Sequence, residues 1–112
     1  QIEINGATTA VTATAGSVRV NGGAQTALTI SGTAALDYRG TGTVTTLTLN
    51  GTASADFSGD IRAKTVTNCS IQRGTILRDP AGCVTFTNGI VLDGCRLTDV
   101  VLDTGVGQTI TT

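Results

Sequence analysis

Apolar and polar residues alternate in short runs along the whole chain, and most runs end at a glycine. The segments 2–6 (IEING) and 18–22 (VRVNG) show the pattern near the start of the chain. A period of two places successive side chains on opposite faces of a β-strand. Glycine tolerates the positive φ that a tight turn needs. The pattern therefore predicts a series of short strands joined by tight turns.

The segment 28–40 (LTISGTAALDYRG) is followed, 19 positions further on, by the similar segment 47–59 (LTLNGTASADFSG). A repeat of about 20 residues built from strand-forming residues is typical of stacked coils rather than of a single-core domain. The same offset predicts four columns of stacked side chains: Tyr38, Phe57, Ile76 and Cys95; Thr33, Thr52, Ile71 and Ile90; Gly32, Gly51, Ser70 and Gly89; Val44, Ala63, Gly82 and Val101. We expect an all-β fold, a short parallel β-helix or solenoid of about five to six coils.

The repeat also suggests how one solenoid domain, residues 1–112, is divided. Residues 1–27 fit the 19-residue register poorly and are expected to form an irregular first coil or cap. Residues 28–104 are expected to form the regular coils, and residues 105–112 an exit strand or tail. The sequence 79–82 (DPAG) is the strongest turn signal, and we expect it to adjust one loop.

Composition narrows the classes of partner. Hydrophobic residues make up 39% of the 112 residues but aromatic residues only 3%, which favours a narrow core of small and β-branched side chains. The net charge of −1 provides no basic patch, so no nucleic-acid partner is expected. No apolar run reaches the length of a membrane span, so no membrane partner is expected.

Because the chain starts at Gln1 and has no Met, a processed or partial product is expected.

The residues that usually carry catalysis are sparse. The chain has no His, which removes the commonest general base and metal ligand. We expect no enzymatic activity, no cofactor and no metal. Cys69, Cys83 and Cys95 fit neither a metal-binding spacing nor a closed disulfide framework, and we expect them to be buried as small hydrophobic residues.

Pairs of carboxylates offer one alternative. The 19-residue offset stacks Asp37 on Asp56 and Asp60 on Asp79. Paired acids serve glycosidases and Ca²⁺ sites, and this pattern suggests a polysaccharide-binding or polysaccharide-cleaving spike fragment. The competing interpretation, and the one we favour, is that these are solvated positions beside Arg39 and Arg62, or local hydrogen-bonders to turn backbone.

Threonines offer a candidate interaction face. Thr-x-Thr occurs at Thr46 and Thr48, at Thr65 and Thr67, and at Thr85 and Thr87. Their apolar neighbours should point inward, so we expect these six hydroxyls to form a flat outward ladder. Stacked Thr-x-Thr rows resemble the ice-binding face of insect antifreeze proteins, which implies an ice-binding or adhesive extracellular solenoid. Threonine is also simply well suited to an exposed strand face.

The columns, and above all the segment 84–102 (VTFTNGIVLDGCRLTDVVL), resemble the small β-solenoid modules of tailed-phage virions. Such modules occur in head decoration proteins and in tail spikes and fibres. The resemblance implies a non-enzymatic structural protein at the virion surface that decorates or stabilises the capsid, or a module of the tail. Its partners would be copies of itself, as a homotrimer or another homo-oligomer, and a major capsid or tail protein.

Overall fold

The computed structural model describes residues 1–112 and confirms an all-β solenoid of about six turns with a spacing of about 20 residues. A single 3₁₀ turn, Leu97–Asp99, interrupts the strands. The strands are β1 Ile2–Ile4, β2 Thr8–Ala13, β3 Ser17–Val20, β4 Gln25–Ile30, β5 Ala35–Tyr38, β6 Val44–Leu49, β7 Ser54–Asp56, β8 Lys64–Ile71, β9 Ile76–Asp79, β10 Val84–Phe86, β11 Ile90–Leu92, β12 Val101–Thr104 and β13 Ile110–Thr111.

The strands form two parallel sheets. Sheet A has the order β1-β3-β5-β7-β9-β12, and sheet B has the order β13-β11-β8-β6-β4-β2, with β10 also paired to β8. Because the chain passes from one sheet to the other on each turn, every coil lies directly on the coil before it. The backbone of each coil is hydrogen-bonded to the coils next to it. Because the sheets face each other across the core, no helix is needed to cover it.

The strands of sheet B bend in the middle, so each coil has three sides. Val44 and Leu47 are both fully buried although they are three positions apart, which breaks the alternation expected of a straight strand. The pairing of β6 with β8 likewise skips Thr45. In the next coil the two halves become separate strands, β10 and β11, both paired to β8. We call the half before the bend the first arm and the half after it the second arm.

The spacing between stacked residues varies along the solenoid. It is 19 residues between Leu28 and Leu47, 16 between Ile2 and Val18, and 25 between Leu77 and Leu102. The strands stay in register while the corners between them change length. The predicted constant offset is therefore wrong outside the middle coils. The members of the four predicted columns that come after residue 57 are wrong for the same reason.

The corrected columns follow from the pairings. Val44 pairs with Val66 rather than lying on Ala63, and Ile71 pairs with Leu49 rather than with Thr52. Ile76 pairs with Ser54 on the outer surface, so it does not continue the aromatic column. The longer corner 58–63 delays the next strand, a change that a 19-residue offset cannot reveal.

The start of the chain is more regular than expected. Residues 1–27 do not form an irregular cap, because β1, β2 and β3 pair in parallel with the coil above them. At the other end, residues 105–112 contain an exit strand, since Ile110–Thr111 pairs with β11 as β13. The corners of the first coils are short, so the spacing between their stacked residues is below 19 and the repeat is hard to recognise there.

The core is one continuous cluster of 22 buried apolar residues. Tyr38 stacks on Phe57 with ring centroids 5.5 Å apart, and Phe57 meets Phe86 edge-on at 6.4 Å. The aromatic column predicted through Tyr38 and Phe57 is thus confirmed for these two residues. The rest of the interior consists of Val, Leu, Ile, Ala and Cys, as the composition indicated.

Buried polar side chains stabilise the corner between sheet A and the first arm. Gln25 donates to the carbonyl oxygens of Gly6 and Gly23 at 3.0 and 3.2 Å. In the next coil the Tyr38 hydroxyl donates to the carbonyl of Gly42 at 2.5 Å. Two further corner groups, Lys64 and Asp79, are 4% and 0% exposed. Each coil satisfies its corner backbone with a different residue, which is why the repeat is hard to see in the sequence here.

Candidate interaction face

Six threonines form a regular array on the outer surface of the first arm, two from each of three consecutive coils. Val44 pairs with Val66 and Thr65 pairs with Thr85, while Val44, Val66 and Phe86 point into the core. The alternation therefore directs their neighbours outward. We call this array the threonine face: Thr43, Thr45, Thr65, Thr67, Thr85 and Thr87.

The array continues toward the start of the chain with alanine in one column. Gln25 pairs with Val44, and Thr8 pairs with Gln25. This register places Ala24 and Thr26 beneath Thr43 and Thr45. Ala7 and Thr9 lie one coil further down. One column of the face is therefore threonine in five successive coils.

The spacing of the array is set by the backbone. Stacked residues lie about 4.8 Å apart, and two outward residues of one strand lie about 6.6 Å apart. The threonine hydroxyls that bond within the protein belong to Thr8, Thr52 and Thr75, outside the six. The face thus presents a regular lattice of methyl groups and available hydroxyls.

The other two predicted face residues belong to a different side of the solenoid. Thr46 pairs with Asn68 and Thr48 with Ser70, both on the second arm. The prediction that Thr46 and Thr48 stack on Thr65 and Thr67 is therefore wrong, whereas the stacking of Thr65 and Thr67 with Thr85 and Thr87 is confirmed. The sequence contains the missing rank as Thr43-Val44-Thr45. The 19-residue offset concealed it, because the true offset at this point is 22 residues.

The second arm carries its own, more mixed outward column. Its members are Thr12, Thr29, Thr48, Ser70, Val91 and Thr111. The neighbouring positions contain Ala27, Thr46 and Asn68, and the Asn88 side chain donates to Asn68 Oδ1 at 2.7 Å. This face therefore lacks the uniform chemistry of the first arm.

A column of charged residues of both signs runs along the outside of sheet A. Asp37 stacks directly on Asp56, as predicted from the repeat. Asp37 accepts from Arg19 and Arg39 at 3.1 Å, and Asp56 lies 3.6 Å from Arg78. The two carboxylates are held in ion pairs, and the favoured interpretation is met where Asp37 lies beside Arg39 and where Asp56 accepts a local hydrogen bond from the backbone N–H of Ser58.

A shallow groove of about 280 Å³ lies beside the charged column and is lined mainly by Ser17, Ser54, Ser58, Asp37, Asp56 and Arg39. Burial alone would raise the pKa of Asp56, but hydrogen bonds from Ser58 and the charges of Arg78 and Arg39 outweigh it and lower the pKa. Hydrogen bonds from Arg62 lower the pKa of Asp60 well below its ordinary value. A glycosidase general acid needs a raised pKa, so these carboxylates titrate in the opposite direction.

Asp79 does not stack with Asp60. It is fully buried and accepts hydrogen bonds from the backbone N–H groups of Cys83 and Val84 at 3.1 and 3.0 Å. It therefore organises the turn at Pro80 and is hidden from solvent. Of the cysteines, Cys69 and Cys95 are buried as predicted, whereas Cys83 is only partly buried; all three are free thiols.

The structure contains no group of three or more His, Cys, Asp or Glu side chains that could hold a metal ion. None of its helical segments has the length and apolar character that a membrane span requires. No protein-family model matches the chain, and no curated protein or solved structure matches it either.

Proposed function

We propose that the chain is a non-enzymatic structural module and that the threonine face is the surface by which it is held in its assembly. The observation that carries the proposal is the repetition of one outward chemistry over three coils, at Thr43/Thr45, Thr65/Thr67 and Thr85/Thr87. Following the resemblance of the sequence to phage solenoid modules, we propose the virion surface as its location. There it would decorate or stabilise a capsid or form part of a tail.

Two physical properties of the face support this role. The array is rigid, since four of the six threonines are on strands and the backbones of the other two, Thr43 and Thr87, are hydrogen-bonded to neighbouring coils. Little side-chain and backbone entropy is therefore lost on contact. It is also uncharged. Such a surface can pack against a second copy or a coat-protein sheet without burying unpaired charge.

The test is self-association of the isolated chain. Sedimentation velocity should show a homo-oligomer, and Thr65→Arg should shift it to the monomer, because an arginine at the centre of the face prevents close approach. Thr33→Arg provides the matched control, since Thr33 is an exposed turn residue outside the face. Equal effects of the two substitutions would contradict a role for the face.

Ice binding or adhesion is a second candidate, and the same array favours it. Regularly spaced hydroxyls and methyls on a rigid surface suit a crystalline ligand whose own spacing is fixed. On this hypothesis the chain acts as a monomer outside the cell. Freezing-point hysteresis should be measurable for the native chain and lost in Thr65→Arg.

The two candidates are separated by which activity is present. A chain that oligomerises and does not alter freezing supports the structural role. A monomer that shows hysteresis supports the ice-binding role. In either case Thr33→Arg should behave as the native protein, because both candidates use the first arm.

A further inference from the structure

A lysine, a thiol and a carboxylate meet at the corner between sheet A and the first arm. Lys64, the only lysine of the chain, is 4% exposed. Its ammonium lies 3.9 Å from Cys83 Sγ, and the Cys83 thiol donates to Asp79 Oδ1 at 3.2 Å. Lys64 and Cys83 lie on successive coils, since Lys64 pairs with Val84.

The partners of Lys64 are unusual for a buried ammonium. It donates to the backbone carbonyl of Asp60 and to the Cys83 sulfur. None of the eight ion pairs in the structure includes it. Burying an ammonium without a paired carboxylate is costly. A reaction that converts this nitrogen to an uncharged group removes that cost, whereas a solvated lysine has no such cost to remove.

Cys83 differs from the other two cysteines in access. Cys69 and Cys95 are buried, whereas Cys83 is partly exposed. Burial, followed by the neighbouring Asp79, raises the pKa of Cys83, so the resting form is the thiol. Asp79 is the base placed to receive the thiol proton.

We propose that Lys64 and Cys83 form an oxidation-dependent covalent bond between neighbouring coils, with a peroxide as the oxidant. In the first step Cys83 Sγ attacks a peroxide oxygen, the O–O bond breaks, and the thiol proton passes to Asp79. Two electrons move from sulfur to the peroxide. One peroxide oxygen stays on the sulfur as the sulfenic acid, and the other leaves as water after protonation.

In the second step the Lys64 ammonium first releases one proton, and the neutral amine Nζ attacks the sulfur of the sulfenic acid. The S–N bond forms, the S–O bond breaks, and the departing oxygen leaves as water with a proton from the amine. Thiol, ammonium and hydrogen peroxide are converted to a sulfenamide, two waters and one proton. The bond would fasten β8 to the turn after β9, independently of the threonine face.

The experiment treats the full chain with hydrogen peroxide and measures intact mass, followed by peptide mapping. The native chain should become about 2 Da lighter, and a thiol reductant should restore the original mass. The map should contain a peptide that joins Lys64 to Cys83, and trypsin should no longer cleave after Lys64. The oxidised chain should also show a higher Tm.

Lys64→Met and Cys83→Ser should both abolish the lighter species. In Lys64→Met, Cys83 should proceed to the sulfinic acid, about 32 Da heavier. Mapping of the native chain keeps the test decisive even if a variant folds poorly. The proposal is overturned if the native chain becomes heavier with Lys64 still cleavable, or if the lighter species maps to a disulfide between Cys83 and another cysteine.

Discussion

Val44 pairs with Val66, not with Ala63 three residues earlier, and this one pairing determines which threonines share a face. It places Thr43 and Thr45 beneath Thr65 and Thr67 and moves Thr46 and Thr48 onto the second arm. Because side chains alternate with a period of two, a strand shifted by an odd number of residues presents the opposite set of side chains. Burial of both valines fixes the register, and the composition of the threonine face follows from it.

Removing the central aromatic ring should destabilise the fold strongly. Phe57 is fully buried and contacts Tyr38 and Phe86 on the coils to either side. Phe57→Ala should lower the free energy of unfolding by about 3–5 kcal/mol because it leaves a cavity in the middle of the stack. Urea titration at neutral pH measures the change.

Ile61→Ala is the matched control for that change, since Ile61 is 69% exposed at a corner. Its effect should stay within about 0.5 kcal/mol. Comparable losses for the two variants would contradict the assignment of the core.

Alkaline pH should unfold the protein through two buried groups. Burial raises the pKa of Cys69 from 9.0 to about 12 and that of Tyr38 from 10.0 to about 12. In both cases the native pKa exceeds the unfolded one, so the native state holds more protons between pH 9 and pH 12. The stabilisation is complete below pH 9 and decreases as the pH rises toward 12.

Thermal unfolding measured from pH 8 to pH 12 tests this, with an expected loss on the order of 1 kcal/mol per pH unit. Tyr38→Phe should flatten the decrease above pH 10 while lowering stability at neutral pH, because the hydrogen bond to Gly42 is lost. An unchanged pH dependence in Tyr38→Phe would show that Tyr38 is not responsible for any of it.

The fold class could be predicted from the sequence because the coils at 28–40 and 47–59 have corners of equal length. Their stacked Leu28 and Leu47 reveal parallel pairing without any structural information. The later coils could not be placed correctly, because their corners are longer and are held by buried Lys64 and Asp79 rather than by repeated residues. The Thr-x-Thr motif was recognisable, but its partners depended on the register of those later coils.

Asp79 should prove more important than any exposed carboxylate. Asp79→Ala would leave the N–H groups of Cys83 and Val84 without their buried acceptor. We expect a loss of about 2–5 kcal/mol in the free energy of unfolding, measured by urea titration. Asp79→Asn should lose less, since the amide oxygen can still accept one hydrogen bond.

Asp103→Ala is the comparison for Asp79, because Asp103 is half exposed and lies 3.5 Å from Arg78 in a surface ion pair. Exposed pairs contribute less than about 1 kcal/mol. If Asp103→Ala were as costly as Asp79→Ala, the charged column rather than the buried corner would be stabilising this part of the stack.

The central claim is that the first arm is the contact surface of a structural assembly. The most direct measurement is the mass in solution of the native chain, of Thr65→Arg and of the control Thr33→Arg, by sedimentation velocity under identical conditions. The account predicts an oligomer for the native chain and for Thr33→Arg, and a monomer of 11.2 kDa for Thr65→Arg. A native chain that remains at 11.2 kDa, or a Thr65→Arg variant that assembles as well as the native chain, would contradict it.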